Sequence, residues 1–129
     1  MYFTDSESSA VRGFDAGDVS TIVGTGLFDF GDRDGVADDV LLQHTQDLAW
    51  DRQTLAVADT YNDRLKRVVP GDRSCVRWPG EAGEAGAFRE PAGVWFAERQ
   101  GLLVADTGSH RIVRVDEDGS LAPIEIEEA

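Results

Sequence analysis

One phrase of fourteen residues occurs twice in this chain and constrains the fold more than any other feature. LAVADTYNDRLKRV spans residues 55–68, and LLVADTGSHRIVRV spans residues 102–115. Aligned without gaps, the two copies are identical at eight of their fourteen positions. Internal similarity of this kind indicates one structural unit used repeatedly.

A third, more divergent copy lies near the start of the sequence. MYFTDSESSAVRGF, residues 1–14, aligns with the other two copies when Asp5 matches Asp59 and Asp106. The matched aspartates are 54 and 47 residues apart. Repeats of this length are typical of solenoids, propellers and arrays.

Each unit has the pattern of short β-strands. LAVADT and LLVADT are apolar, four turn-forming residues follow each, and RLKRVV and RIVRVD then resume a mixed alternation. This pattern predicts a β-hairpin. Short apolar runs precede the hairpins at residues 47–50 and 93–96. Another follows at 74–78, with an early counterpart at 19–23 and a late one at 121–126. The unit therefore has four strands, named a to d in chain order.

Four strands in a unit of about 50 residues predict a β-propeller blade. Helical signals are almost absent, because three glycines within or beside residues 81–88 oppose a helix there. The predicted fold is an all-β propeller with about three four-stranded antiparallel blades, of which the first lacks strand a. We expect one partial domain over residues 1–129, with blade-like units at approximately 1–25, 46–79 and 92–126.

The repeated phrase resembles the NHL repeat, a propeller blade with the pattern VADTxNxRIxRV. FTDSESSAVR, GLFDFGDRDGVADDVLLQH and LAVADTYNDRLKRV follow one another as similar segments do in the NHL propeller of thioredoxin–NHL proteins. The first copy departs from the pattern at Ala10, which stands in the place of an arginine. Residues 45–47 also lack the proline and glycine that are common there and that residues 91–93 retain.

The strand count falls short of a closed ring. Eleven strands make just under three blades, whereas propellers typically have four to eight, and the NHL resemblance implies six. Three blades leave apolar faces open to water, which is unfavourable. We therefore expect a segment of a longer parent protein or, as the less favoured alternative, a homodimer that closes a six-bladed ring. No thioredoxin segment is present in the 129 residues, so thioredoxin chemistry is not expected of this chain.

Charge and cysteine content limit the partners and the compartment. Twelve basic and 25 acidic side chains give a net charge of −13. Nucleic acid and anionic membranes repel such a chain, so neither is expected as a partner, although other NHL propellers bind RNA. Cys75 is the only cysteine, which excludes an intrachain disulfide and fits a reducing, cytoplasmic location.

The recurring polar residues predict a clasp across the hairpin. An aspartate at the end of strand b can accept hydrogen bonds from the turn and can pair with the arginine that begins strand c. Asn62 is the natural candidate for a left-handed turn residue. The residues assigned to this structural clasp are Asp5, Asp59, Asn62, Arg64, Asp106 and Arg111.

Residues that differ between copies are the better candidates for ligand binding. The b–c turns and the loops between strands d and a gather at one end of a propeller, so their tips lie close together. The candidates at these tips are Glu7, His44, Tyr61, Asp63, Ser109 and His110.

Motifs for metals and cofactors are not recognisable, and none is expected. The two histidines are 66 residues apart and form no ligand motif. In an EF-hand frame with Gly35 at the glycine position, Phe30 and Leu41 fall where oxygen ligands are required, so the acidic loop at residues 31–39 does not match. Cys75 is predicted to be a buried strand residue and not a nucleophile.

Two functions remain open from the sequence. The favoured one is a non-catalytic scaffold, a segment of a thioredoxin–NHL-like protein that binds a protein or a small molecule. The alternative is part of a metal-dependent propeller lyase or hydrolase, completed by further blades or a second copy, with Asp59, Asp106, His44 and His110 as its available groups.

Overall fold

The computed structural model describes residues 1–26 and 28–125, which contain three antiparallel sheets. The first sheet consists of β1 (Tyr2–Asp5), β2 (Ala10–Asp15) and β3 (Asp18–Val23), in that order. The second consists of β4 (Gly35–Val36), β5 (Asp47–Trp50), β6 (Leu55–Asp59), β7 (Arg64–Val69) and β8 (Ser74–Arg77), in the order β4–β8–β7–β6–β5. The third consists of β9 (Pro91–Ala97), β10 (Gly101–Asp106), β11 (Arg111–Val115) and β12 (Leu121–Ile124), in chain order. Short 3₁₀ turns lie at Ala37–Asp39, Thr60–Asn62, Glu81–Gly83 and Thr107–Ser109.

The three sheets are three propeller blades, and the described residues do not close them into a ring. Strands a to d are neighbours in the predicted order, and the first blade begins at strand b. The all-β propeller prediction is therefore confirmed. The fourth strand of the third blade, predicted at residues 121–126, is observed at Leu121–Ile124, and Ile126 lies outside the described residues.

One strand, β4, was not predicted. It comes from the long segment between the first two repeats and pairs with β8, the outermost predicted strand of the second blade. Gly35 and Val36 lie opposite Cys75 and Ser74. The segment therefore extends the second blade to five strands and covers an edge that would otherwise expose unpaired backbone groups.

The blades pack face to face because strand b is apolar at consecutive positions. All five residues of β6 are buried. Alternation along the strand directs Leu55 and Val57 toward the first blade, where they join a cluster with Val11 and Val23. The intervening Ala56 belongs to the cluster formed with the third blade. A strand buried on both sides thus reads as a continuous apolar run.

Each b–c turn ends with a residue in the left-handed conformation. Ser9, Asp63 and His110 have φ angles of 50°, 56° and 53°. The prediction that Asn62 adopts this conformation is wrong. In the second blade a 3₁₀ turn occupies Thr60–Asn62, so the chain reverses one residue later, at Asp63.

The left-handed residue also connects successive blades. Ser9 Oγ accepts the backbone N–H of His44 at 2.9 Å, and Asp63 Oδ1 accepts the backbone N–H of Glu90 at 2.8 Å. His44 and Glu90 hold equivalent places in the loops that lead into strand a, and both have positive φ angles. These bonds fix the loops of one blade against the turn of the preceding blade.

Candidate ligand-binding site

The b–c turns and the loops that lead into strand a meet at one end of the blades. Besides the bonds between blades, each loop binds the turn of its own blade. The N–H of Tyr61 donates to the Gln43 carbonyl at 3.1 Å, and the N–H of Gly108 donates to the Arg89 carbonyl at 2.7 Å. This end, called here the loop end, carries two adjoining cavities.

The first cavity lies between the first and second blades and has a volume of about 300 Å³. Its wall contains a stacked pair of rings, since His44 and Tyr61 have centroids 4.5 Å apart and planes inclined by 21°. The backbone of both residues is held by the hydrogen bonds just described, so the fold presets the pair. The cavity is lined by Ser6, Glu7, Ser9, Phe30, Gln43, His44 and Tyr61.

The second cavity lies between the second and third blades and has a volume of about 420 Å³. It is lined by Tyr61, Asp63, Arg89, Glu90 and Gly108, so Tyr61 belongs to both cavities. Gly108 has a steric role here, because a Cβ atom at this position would lie 2.5 Å from the Arg89 carbonyl oxygen. Only glycine permits this close approach of turn and loop.

The structure brings together four of the six proposed ligand-binding residues. Glu7, His44 and Tyr61 line the first cavity, and Asp63 lines the second. Ser109 and His110 line neither, although they lie in the equivalent turn of the third blade.

Sequence reasoning missed the remaining lining residues, of which Phe30, Gln43, Arg89 and Glu90 are the largest. The repeat alignment did not show two of them without a gap. Extended without gaps, it places Arg89 and Glu90 at the positions of Leu42 and Gln43. In the structure they instead correspond to Gln43 and His44, because the N–H groups of Gln43 and Arg89 each donate to the aspartate that ends strand b. Phe30 lies in the segment between repeats, where no such alignment exists.

The predicted clasp is present in the third blade and in an altered form in the first. Arg111 Nε lies 2.8 Å from Asp106 Oδ2. In the first blade Arg12, two positions beyond Ala10, pairs with Asp5 at 2.9 Å. Partial burial acts to raise the pKa of Asp5, but hydrogen bonds, chiefly from Arg12, outweigh it and lower that pKa.

The expected pair of Asp59 and Arg64 in the second blade is not formed. Arg64 instead lies 3.3 Å from Asp32. Asp59 accepts hydrogen bonds from the Gln43 N–H and the Asn62 side chain, each at 2.8 Å. Asp59 is fully buried, and burial raises its pKa to about 6 despite these hydrogen bonds.

A buried lysine beneath the segment between repeats shares Asp32 with Arg64. Lys66 is fully buried, and its Nζ lies 2.8 Å from Asp32 Oδ1 and 2.6 Å from Asp34 Oδ1. Asp34 also accepts the backbone N–H of Arg77 at 3.0 Å. Burial alone would lower the pKa of Lys66, but the two carboxylates outweigh it and raise that pKa. Two carboxylates of the acidic loop at residues 31–39 therefore pair with a lysine.

No group of three or more His, Cys, Asp or Glu side chains suited to a metal ion occurs among residues 1–26 and 28–125. Cys75 is buried, and burial raises the pKa of its thiol to about 12. The reactive form of cysteine is the thiolate, so this thiol is unreactive at neutral pH while the chain is folded.

Comparison with known proteins identifies the repeats. No profile of a known protein family matches the chain. The chain is 37% identical to NHL repeat-containing protein 2 of Bos taurus and of Homo sapiens. Each alignment is 135 residues long and covers 90% of this chain. The chain is built from NHL repeats. It spans about a fifth of the length of these relatives, 19% in each case.

The fold of this chain is shared with a solved structure. An auxiliary nutrient binding protein from Bacteroides thetaiotaomicron superimposes with a TM-score of 0.74 over 86% of this chain and 33% of its own, at 12% sequence identity. At this identity the likeness concerns the fold alone. In the described NHL segment, no helix is long and apolar enough to cross a membrane.

Proposed function

We propose that this chain is the binding scaffold of a larger NHL-repeat protein and that its loop end holds a protein partner. One observation carries the proposal. The two adjoining cavities are formed by turn and loop residues that differ between repeats, whereas the residues that the repeats share build the blades. Concave sites with a few convergent polar groups are typical of ligand binding.

The chemistry of the loop end favours binding over turnover. Aromatic rings, carboxylates and one arginine converge on the cavities. Aromatic side chains and arginine are enriched where proteins bind one another. The net charge of −13 opposes nucleic acid as the partner.

Selection of binding peptides from a random displayed library tests the proposal. We expect selected peptides to lose binding to a Tyr61→Ala variant, because Tyr61 belongs to both cavities. Glu98→Ala is the matched control, since Glu98 follows β9 and lies at the opposite end of the third blade. Peptides that bind both variants and the unmutated chain with equal affinity would place the binding surface elsewhere and refute the proposal.

We further propose that another blade covers the open face of the third blade. That blade comes from the rest of the longer NHL-repeat protein or from a second copy of this chain. Ala56, Ala58 and Leu65 of the second blade are fully buried in the cluster with the third blade. The third blade carries apolar residues at the same repeat positions: Leu103, which is 5% exposed, and Ala105 and Ile112, which are half-buried. Beside them Trp95, opposite Leu103, is 40% exposed.

A further inference from the structure

The first cavity of the loop end has the composition of a site for a cationic side chain. It combines the carboxylate of Glu7 with the rings of Phe30 and Tyr61, and the imidazole of His44 stacks on Tyr61. The face of an aromatic ring carries partial negative charge, so it attracts guanidinium and ammonium groups. A carboxylate beside such rings adds the charge that a bound cation requires.

The carboxylate of Glu7, which would meet this cation, takes part in no ion pair among the described residues. Glu7, Phe30 and Tyr61 are exposed, Phe30 at 57% and Tyr61 at 49%. Large exposed aromatic side chains beside a cavity are typical of contact surfaces.

The second cavity adjoins the first at Tyr61 and enlarges the surface open to a peptide. Tyr61 belongs to both cavities, and beyond it lie the carboxylates of Asp63 and Glu90. Arg89 also lines this cavity, so the carboxylates outnumber the cations there. A chain that places one side chain in the first cavity continues over Tyr61 toward further negative charge.

We propose that the first cavity binds an arginine side chain of a basic peptide segment in a partner protein. The guanidinium lies among the rings of Tyr61 and Phe30 and pairs with the carboxylate of Glu7. Arginine fits better than lysine, because its planar group stacks on rings while it pairs with a carboxylate. This inference rests on the proposed function, since it names the chemistry of the partner held at the loop end.

Fluorescence anisotropy with defined peptides tests the inference on the full chain. The probe is a short labelled peptide in which arginine alternates with glycine and serine, and its counterparts carry lysine, glutamine or glutamate instead of arginine. We expect the arginine peptide to bind most tightly. Tyr61→Leu, which keeps an apolar side chain but removes the ring, should weaken binding about two- to thirtyfold, the range for a lost cation–π contact.

Glu7→Gln and Glu98→Gln form a matched pair, because each removes one negative charge from an exposed position. We expect Glu7→Gln to weaken the arginine peptide and Glu98→Gln to leave it unchanged. Equal weakening by both variants would mean attraction to the net charge only and would overturn the inference. Thermal melts of all variants establish that each is folded.

The remaining outcomes separate the inference from the proposed function. The glutamine or glutamate peptide could bind as tightly as the arginine peptide, in a manner that still depends on Tyr61. That result would refute the cationic ligand but leave a peptide site at the loop end. If no peptide binds in a manner that depends on Tyr61, both proposals fail.

Discussion

Ser9 Oγ accepts the backbone N–H of His44 at 2.9 Å, and this bond joins the turn of the first blade to the loop that leads into the second. Asp63 repeats the bond one blade later, with the N–H of Glu90. The same left-handed position thus serves as a connector between blades. It also holds the loop end in shape, because His44 and Glu90 line its two cavities.

Substitution of Asp63 separates the two roles of this position. Asp63→Gly retains a favourable left-handed backbone but removes the acceptor of an exposed hydrogen bond. We therefore expect the free energy of unfolding to fall by about 0.5–1.5 kcal/mol, the net contribution of a hydrogen bond whose N–H remains open to water. Asp63→Asn keeps both a side-chain acceptor and tolerance of the conformation, so its loss should be smaller. Denaturant unfolding measures both, and faster hydrogen exchange at the Glu90 amide should accompany only Asp63→Gly. Equal stability of the two variants would contradict the connector role.

Lys66 anchors the segment between the first two repeats. Breaking a buried ion pair typically costs 3–5 kcal/mol. Asp32 and Asp34 are about one-third exposed, with side-chain exposures of 32% and 34%. Water can therefore solvate them in part, and we expect Lys66→Met to lower the free energy of unfolding by about 3 kcal/mol.

The control for this prediction is an exposed ion pair. Arg114 and Asp116 are each 47% exposed, so Arg114→Met should cost less than about 1 kcal/mol. Combining Lys66→Met with Asp34→Asn should restore part of the loss, because the carboxylate that paired with Lys66 is then gone, while Asp32 keeps its ion pair with Arg64. Lys66→Met without a measurable loss in denaturant unfolding would show that the buried pairs do not hold the segment.

The repeats made the fold predictable, but not the details that differ between them. The apolar patterns of strands b, c and d are local, so they were predictable in each copy. β4 was not, because its pairing with β8 depends on a segment that has no counterpart in the other repeats. For the same reason the contact of Asp32 with Arg64 could not be foreseen, and the expected clasp of the second blade was wrong.

The candidate site was predictable where its residues lie at turn tips. Tyr61 and Glu7 follow from the rule that b–c turns meet at one end of a propeller. Phe30 does not, since no periodic pattern places residues of the long segment. The left-handed residue was displaced from Asn62 to Asp63 because the turn length depends on backbone hydrogen bonding that the composition does not reveal.

Asp59 should make the stability of the second blade depend on pH. Its pKa rises from 3.8 to about 6 on folding because it is buried. The folded state then binds the proton more tightly than the unfolded state, so this contribution to stability is lost as the pH rises from about 4 to 6. Over this pH range the unmutated chain should lose on the order of 3 kcal/mol more of its free energy of unfolding than the Asp59→Asn variant loses. Denaturant unfolding of both chains at several pH values measures the difference, and a difference that does not change with pH would refute it.

Trp95 should control association through the open face of the third blade. Trp95 is 40% exposed. Its apolar neighbours occupy repeat positions whose counterparts in the second blade are buried against the third blade. If a second copy covers this face, light scattering will give a discrete mass twice the 14.0 kDa of the chain. Trp95→Glu should return the chain to 14.0 kDa, because a carboxylate cannot be buried unpaired in an apolar contact.

Val76→Glu is the matched control for this change, since Val76 is also an exposed apolar strand residue, at 49%, but belongs to β8 of the second blade. It should leave the larger mass unchanged. Equal dissociation by both variants would mean that apolar exposure in general, and not the face of the third blade, drives association. If light scattering gives a uniform mass of 14.0 kDa for the unmutated chain, a second copy is excluded. The covering blade would then come from the rest of the longer protein.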